Sequence, residues 1–148
     1  SQVLAMPYRY IENIATADAA FKAWGTTAEE LFISAAEALI NVMVTDLKTI
    51  DNQIIIPIHL ESETMEMLLY ELLQEIIFQK DVGPFLLKVF ELEIDHVETN
   101  LQLRGMLKGE KLDSNKHDLI VDVKAVTFHQ YRVEETETGW EAVVVVDI

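Results

Sequence analysis

At 148 residues the chain suffices for one domain that buries roughly 70% of the surface its unfolded form would expose, so a core can hold without staples. The absence of cysteine excludes disulfides and thiolate metal sites, permits a reducing compartment and makes the cytoplasm the expected location. A formal charge of −15 at pH 7 repels phosphate backbones, which argues against independent nucleic-acid binding; it either suits a cation or a basic protein surface as partner or simply keeps the protein in solution. No apolar run reaches the ~20 residues of a membrane span, and the opening SQVLAMPYRY lacks the regions of a signal peptide.

Taken in order, YRYIEN and AAFKAWG read as short strands, the second with Ala19, Phe21 and Ala23 on one face, and ATAD forms a polar corner between them. Thr27 to about Val44 reads as a helix: Thr27 and Glu30 match a capping box, and Leu31, Phe32, Ala35, Leu39 and Met43 recur at helical spacing. Asn52 to Leu60 is β-branched and carries Pro57, which suits an edge strand. A second amphipathic helix is expected from about Ser62 to Lys80, burying Met65, Leu68, Leu69, Leu72 and Ile76. After KDVGP the period becomes two. Phe90, Leu92 and Ile94 alternate with Glu91, Glu93 and Asp95, and Leu101, Leu103 and Leu107 follow on a second strand. The remainder predicts two longer strands joined at ETETG, with a bulge near Lys124 and Ala125 where the parity shifts. The order implies a single α+β domain over residues 1–148, two helices packed on a largely antiparallel sheet.

Chemistry-bearing motifs are sparse. There is no glycine-rich phosphate loop, no cysteine nucleophile and no serine on a strand-to-helix elbow. His59, His96, His117 and His129 are scattered singly, without the i, i+4 pair of a helical zinc site. Glu110, Asp113, Lys116 and His117 in GEKLDSNKH are expected on a solvated loop. In VKAVTFH, by contrast, Lys124, Thr127 and His129 interrupt an apolar segment; they either face solvent at alternate positions or mark a site that a bulge re-aims. The end of the chain poses a similar choice. Asp147 and the carboxylate of Ile148 follow four valines, and two carboxylates ~4 Å apart repel by ~4 kcal/mol at an effective dielectric of 20. They either fray into water or bind a hard cation through oxygen, for which flexible carboxylates suit Ca²⁺ better than the strict octahedron of Mg²⁺.

With these residues in view, the chain resembles the archease family, the proteins that assist the RtcB-type tRNA-splicing RNA ligase. The resemblance runs nearly end to end: TAD before a strand closing on Gly25, the helix TTAEELFISAAEALINVM, GEKLD, KAVTFH against the family's Lys-Ala-x-Thr-Tyr-His, and a final strand ending Asp-Ile. It implies that Asp18, Asp147 and Ile148 bind a divalent metal, commonly calcium; Lys124, Thr127 and His129 are the candidate partner surface if the KAVTFH strand and the metal end form one working face. It also implies that the chain is not itself an enzyme: it promotes guanylylation of the ligase and lets it turn over repeatedly. The family carries His immediately before Thr-Ala-Asp where this chain has Ala15. Two other readings stand beside it: a metal-dependent hydrolase that uses the same carboxylates with Lys124 or His129 as acid or base, and a general chaperone, which needs an exposed apolar patch.

Overall fold

Alternating apolar residues set the strands of this protein and two capped apolar stripes set its helices, in a computed structural model that describes residues 7–12 and 18–148. Ala15 and most of the ATAD corner lie outside the described residues. The order is β1 (Tyr8–Ile11), β2 (Asp18–Gly25), α1 (Ala28–Met43), β3 (Ile54–Ser62), α2 (Met65–Val82), β4 (Phe85–Val97), β5 (Asn100–Lys111), β6 (Ala125–Thr136) and β7 (Gly139–Asp147). The α+β class holds, and the strands divide between two antiparallel sheets, β1-β2-β7-β6 and β3-β5-β4. Pro57 sits in the edge strand β3, where its missing N–H costs no ladder bond.

Both helices touch strands of both sheets: α1 packs on β1, β2, β7 and β4, and α2 on β3, β4, β5 and β6. One core therefore joins the layers, with Phe21, Phe32, Leu39, Leu72, Leu87 and Val144 all in a single buried cluster. Helix α1 begins because Thr27 accepts the Glu30 N–H at 3.1 Å. The reciprocal bond of the expected box goes elsewhere: the Glu30 carboxylate accepts from the N–H and hydroxyl of Thr26, at 3.0 and 2.6 Å. Thr64 caps α2 by accepting from Met67 N–H at 3.2 Å.

Three expectations about the strands also change. The register of β4 against β5 shifts between Val89 and Glu91, which turns Phe90 out to solvent, where the Lys108 ammonium lies 3.4 Å from its ring centroid. Residues 119–124 form no strand, only an isolated bridge between Val44 and Leu119. That segment bonds to the end of α1 instead, through Ile120 N–H to Met43 O at 2.8 Å, and Lys80 of α2 donates to Val123 O at 2.6 Å. The bulge of β6 lies not at Lys124 and Ala125 but between Thr127 and Arg132.

Candidate functional site

The site is assembled by the pairing of β2 with β7, which is unbroken from Gly25 opposite Trp140 to Asp18 opposite Asp147. Residues directly opposite in an antiparallel pair project from the same face with Cβ atoms roughly 5 Å apart. The alternation along β2 places Phe21 and Ala23 in the core, so Asp18 and Asp147 share the other face at one end of the sheet. Both are half-buried, as is Ile148. Among the described residues, no Lys or Arg forms an ion pair with either carboxylate. Two like charges side by side with no counter-charge form an oxygen donor pair that a hard cation would relieve.

Strand β6 delivers the KAVTFH residues to this end from the other side of β7. Ala125 is the second partner of Asp147, and Lys124, exposed just before the strand, donates its N–H to Asp147 O at 2.7 Å. Thr127 lies opposite Val145 on the face that carries Asp147; its Oγ1 is buried and without a hydrogen-bond partner among the described residues. His129 is not brought to the carboxylates. It stands exposed in the bulge, next to Gln130 at φ 57°. The bulge swings its aromatic residues onto α2: Phe128 stacks on Tyr70 with centroids 4.5 Å apart, and Tyr131 donates its hydroxyl to Glu66 O at 2.6 Å. Asp18 and Ile148 also line a shallow depression of about 350 Å³ together with Tyr10, Ile120 and Val121, so Asp18 has an apolar border.

No group of three His, Asp or Glu side chains converges in a metal-ligating arrangement among the described residues. Asp18 and Asp147 are two donors only, so a divalent ion held there would need further oxygen ligands.

The GEKLDSNKH segment departs from its expected solvation. Glu110 and His117 are buried. The Glu110 carboxylate accepts from Lys116 Nζ at 2.9 Å and from Asp51 N–H at 2.8 Å. It lies 2.9 Å from His117 Nε2, while Asp113 N–H donates to Nδ1 at 3.0 Å, which puts the imidazole proton on Nε2. These bonds hold the Glu110 carboxyl down at about 2, the Lys116 bond foremost. The network fixes a loop rather than presenting a reagent.

Comparison with known proteins gives the family of the chain. The profile of the archease protein family (MTH1598/TM1083) matches residues 8–148. Among curated relatives, the protein archease of Methanopyrus kandleri is 36% identical, over 97% of this chain and 100% of that protein. That of Pyrococcus furiosus is 36% identical, over 90% and 94% respectively. The solution structure of Methanobacterium thermoautotrophicum protein 1598 superposes with a TM-score of 0.84 at 30% identity, covering 97% of this chain and 100% of that one. The crystal structure of a Thermotoga maritima archease, described as a possible chaperone, shares the fold with a TM-score of 0.61 at 20% identity, over 90% and 92%. Among the described residues no helix is long and apolar enough to cross a membrane. With the family matched from β1 to the last residue and relatives aligned along nearly their whole lengths, this chain belongs to the archease family.

Proposed function

We propose that the chain is a non-enzymatic activator of an RtcB-type tRNA-splicing RNA ligase, which it helps to guanylylate and so to turn over repeatedly. Archease family membership supports the reading, and the observation that carries it to particular residues is the Asp18–Asp147 pair, forming no ion pair with any described Lys or Arg, with Asp18 bordered by Ile120 and Val121. Asp18, Asp147 and the Ile148 carboxylate would hold a divalent ion, with Ca²⁺ the best match to flexible oxygen donors. Such an ion supplies positive charge at the tip of an otherwise acidic protein. The chain's own residues do the rest: the β2–β7 ladder fixes the spacing of the carboxylates, Lys124 stands beside them, and the apolar border excludes water when a partner covers it. Thr127 and His129 would belong to the same partner surface, His129 at its margin.

The hydrolase alternative uses a base close to the carboxylates, and of its two candidates His129 lies outside the β6–β7 ladder. The deciding experiment is ligation by the cognate ligase under multiple turnover. A helper acting on recharging leaves the first turnover nearly unchanged and accelerates the later ones. With the chain present in substoichiometric amounts, formation of the guanylylated ligase should speed up, and the chain alone should join no RNA. Equal guanylylation rates with and without the chain, both proteins being folded, would overturn the reading.

A further inference from the structure

At the end of the four-stranded sheet away from Asp18 and Asp147, ~20 Å along the strands, lies a cleft of about 510 Å³. Its walls are the end of β2, the first half of α1 and the β6–β7 hairpin. Gly139 lets the hairpin close there: its φ is +155°, and a Cβ at that position would stand 2.2 Å from Gly25 O. The size suits a small ligand, and the composition is selective. Both tryptophans of the chain, Trp24 and Trp140, line it with Glu30, Glu37 and Glu141, and no Lys, Arg or His does.

The three carboxylates differ in what already satisfies them. Glu30 accepts two hydrogen bonds from Thr26. Glu141 is paired with Lys22 at 3.0 Å. Glu37 has neither a hydrogen bond nor an ion pair with any described residue, although it is half-buried. Burial pushes its carboxyl up from the ordinary value, with the charge of Lys88 opposing. Trp24 remains 38% exposed at this concave place. Indole faces attract cations through their quadrupole, and a desolvated carboxylate gains most from a charge partner that excludes water with it.

We propose that this cleft binds an aliphatic chain ending in a guanidinium or ammonium group, held by the indoles of Trp24 and Trp140 and by the carboxylate of Glu37. The proposal stands independently of the activator reading, since it concerns the other end of the sheet. Because the chain has two tryptophans and both line the cleft, tryptophan fluorescence excited selectively over the four tyrosines reports on this site. The probes are agmatine, the tripeptide acetyl-Ala-Arg-Ala-amide and its citrulline counterpart as the uncharged control, titrated at constant ionic strength. A saturable fluorescence change is expected from at least one arginine-type probe, with the citrulline peptide at least about tenfold weaker. Agmatine binding as tightly as the arginine peptide assigns the site to free cations; binding of the peptide alone assigns it to a side chain of a partner polypeptide.

Glu37→Gln should weaken binding by about fivefold or more while the thermal midpoint stays unchanged or rises, and Thr138→Arg, which supplies a cation from the hairpin turn, should blunt the response. Identical curves for arginine and citrulline, absence of saturation with every probe, or full affinity in folded Glu37→Gln each overturns the proposal.

Discussion

The carboxylates of this protein sit in two different surroundings, one rich in donors and one without them among the described residues. Glu110 is surrounded by donors, and its carboxyl is held at about 2, below the ordinary value of 4.5. A group whose folded value is depressed contributes stability that is fully present above its unfolded value and is lost as the pH falls through the folded one. Urea midpoints should therefore decline between about pH 5 and pH 2 in the parent, and Glu110→Gln should flatten that part of the profile while lowering the neutral-pH midpoint. The side chains of Asp18 and Asp147 have no such donors among the described residues. Removing one charge by Asp147→Asn should leave the metal-free protein as stable as the parent or more so, because a repulsion is lost. The proposed ion reverses the comparison. Ca²⁺ at about a hundred times its dissociation constant should stabilise the parent by ~2.7 kcal/mol, raising the thermal midpoint by ~2–4 °C for each kcal/mol. Asp18→Asn, Asp147→Asn and a short extension after Ile148 should each remove most of that rise; an undiminished rise in the extended protein excludes the terminal carboxylate as a ligand.

Among the elements, β6 carries most of the difference between what the sequence discloses and what the fold does. As the last strand of its sheet, β6 would present an open edge, and α2 covers it: Gln74 Oε1 accepts from Val126 N–H at 2.8 Å, and Tyr70 receives Phe128. The bulge exists to make that second contact, since four residues leave the ladder and carry two aromatics onto the helix. A double-mutant cycle between Tyr70→Ala and Phe128→Ala should show a coupling of about 0.5–1.5 kcal/mol in urea unfolding, and additive effects would mean that the stacked rings contribute nothing beyond their separate burial. Local signals were sufficient where the physics is local: Thr27 starts α1, Pro57 marks an edge, and the alternation in β2 separates core from surface. They were insufficient where the partner is distant. Glu110 looks solvated until Asp51 and His117 close on it, and residues 119–124 look like a strand until Lys80 and the end of α1 claim their backbone. The Asp18–Asp147 pair joins the two ends of the chain, so no periodicity reveals it; only the resemblance of the TAD and Asp-Ile motifs to a family does.

For the molecule as a whole, the formal charge of −15 and the placement of its compensated and uncompensated carboxylates set how it meets a partner. A ligase that holds RNA and a nucleotide must be basic where it does so, and an acidic protein approaching that surface is steered by long-range attraction that raises the association rate more than the final affinity. The attraction between exposed charges is screened over ~8 Å at physiological ionic strength. The apolar border at Ile120 and Val121, in contrast, strengthens slightly or stays constant as salt rises, because it works by excluding water. The two contributions therefore separate kinetically. Raising salt should slow association with the proposed ligase partner and leave the dissociation rate nearly constant, whereas Ile120→Ser should speed dissociation and leave the salt dependence of association unchanged. Stopped-flow or surface-based kinetics across a salt series, on folded proteins with Ca²⁺ present, measures both. An association rate indifferent to salt would remove electrostatic steering from the account, and with it the reason for so acidic a surface, while leaving the carboxylate end of the sheet to be judged on guanylylation alone.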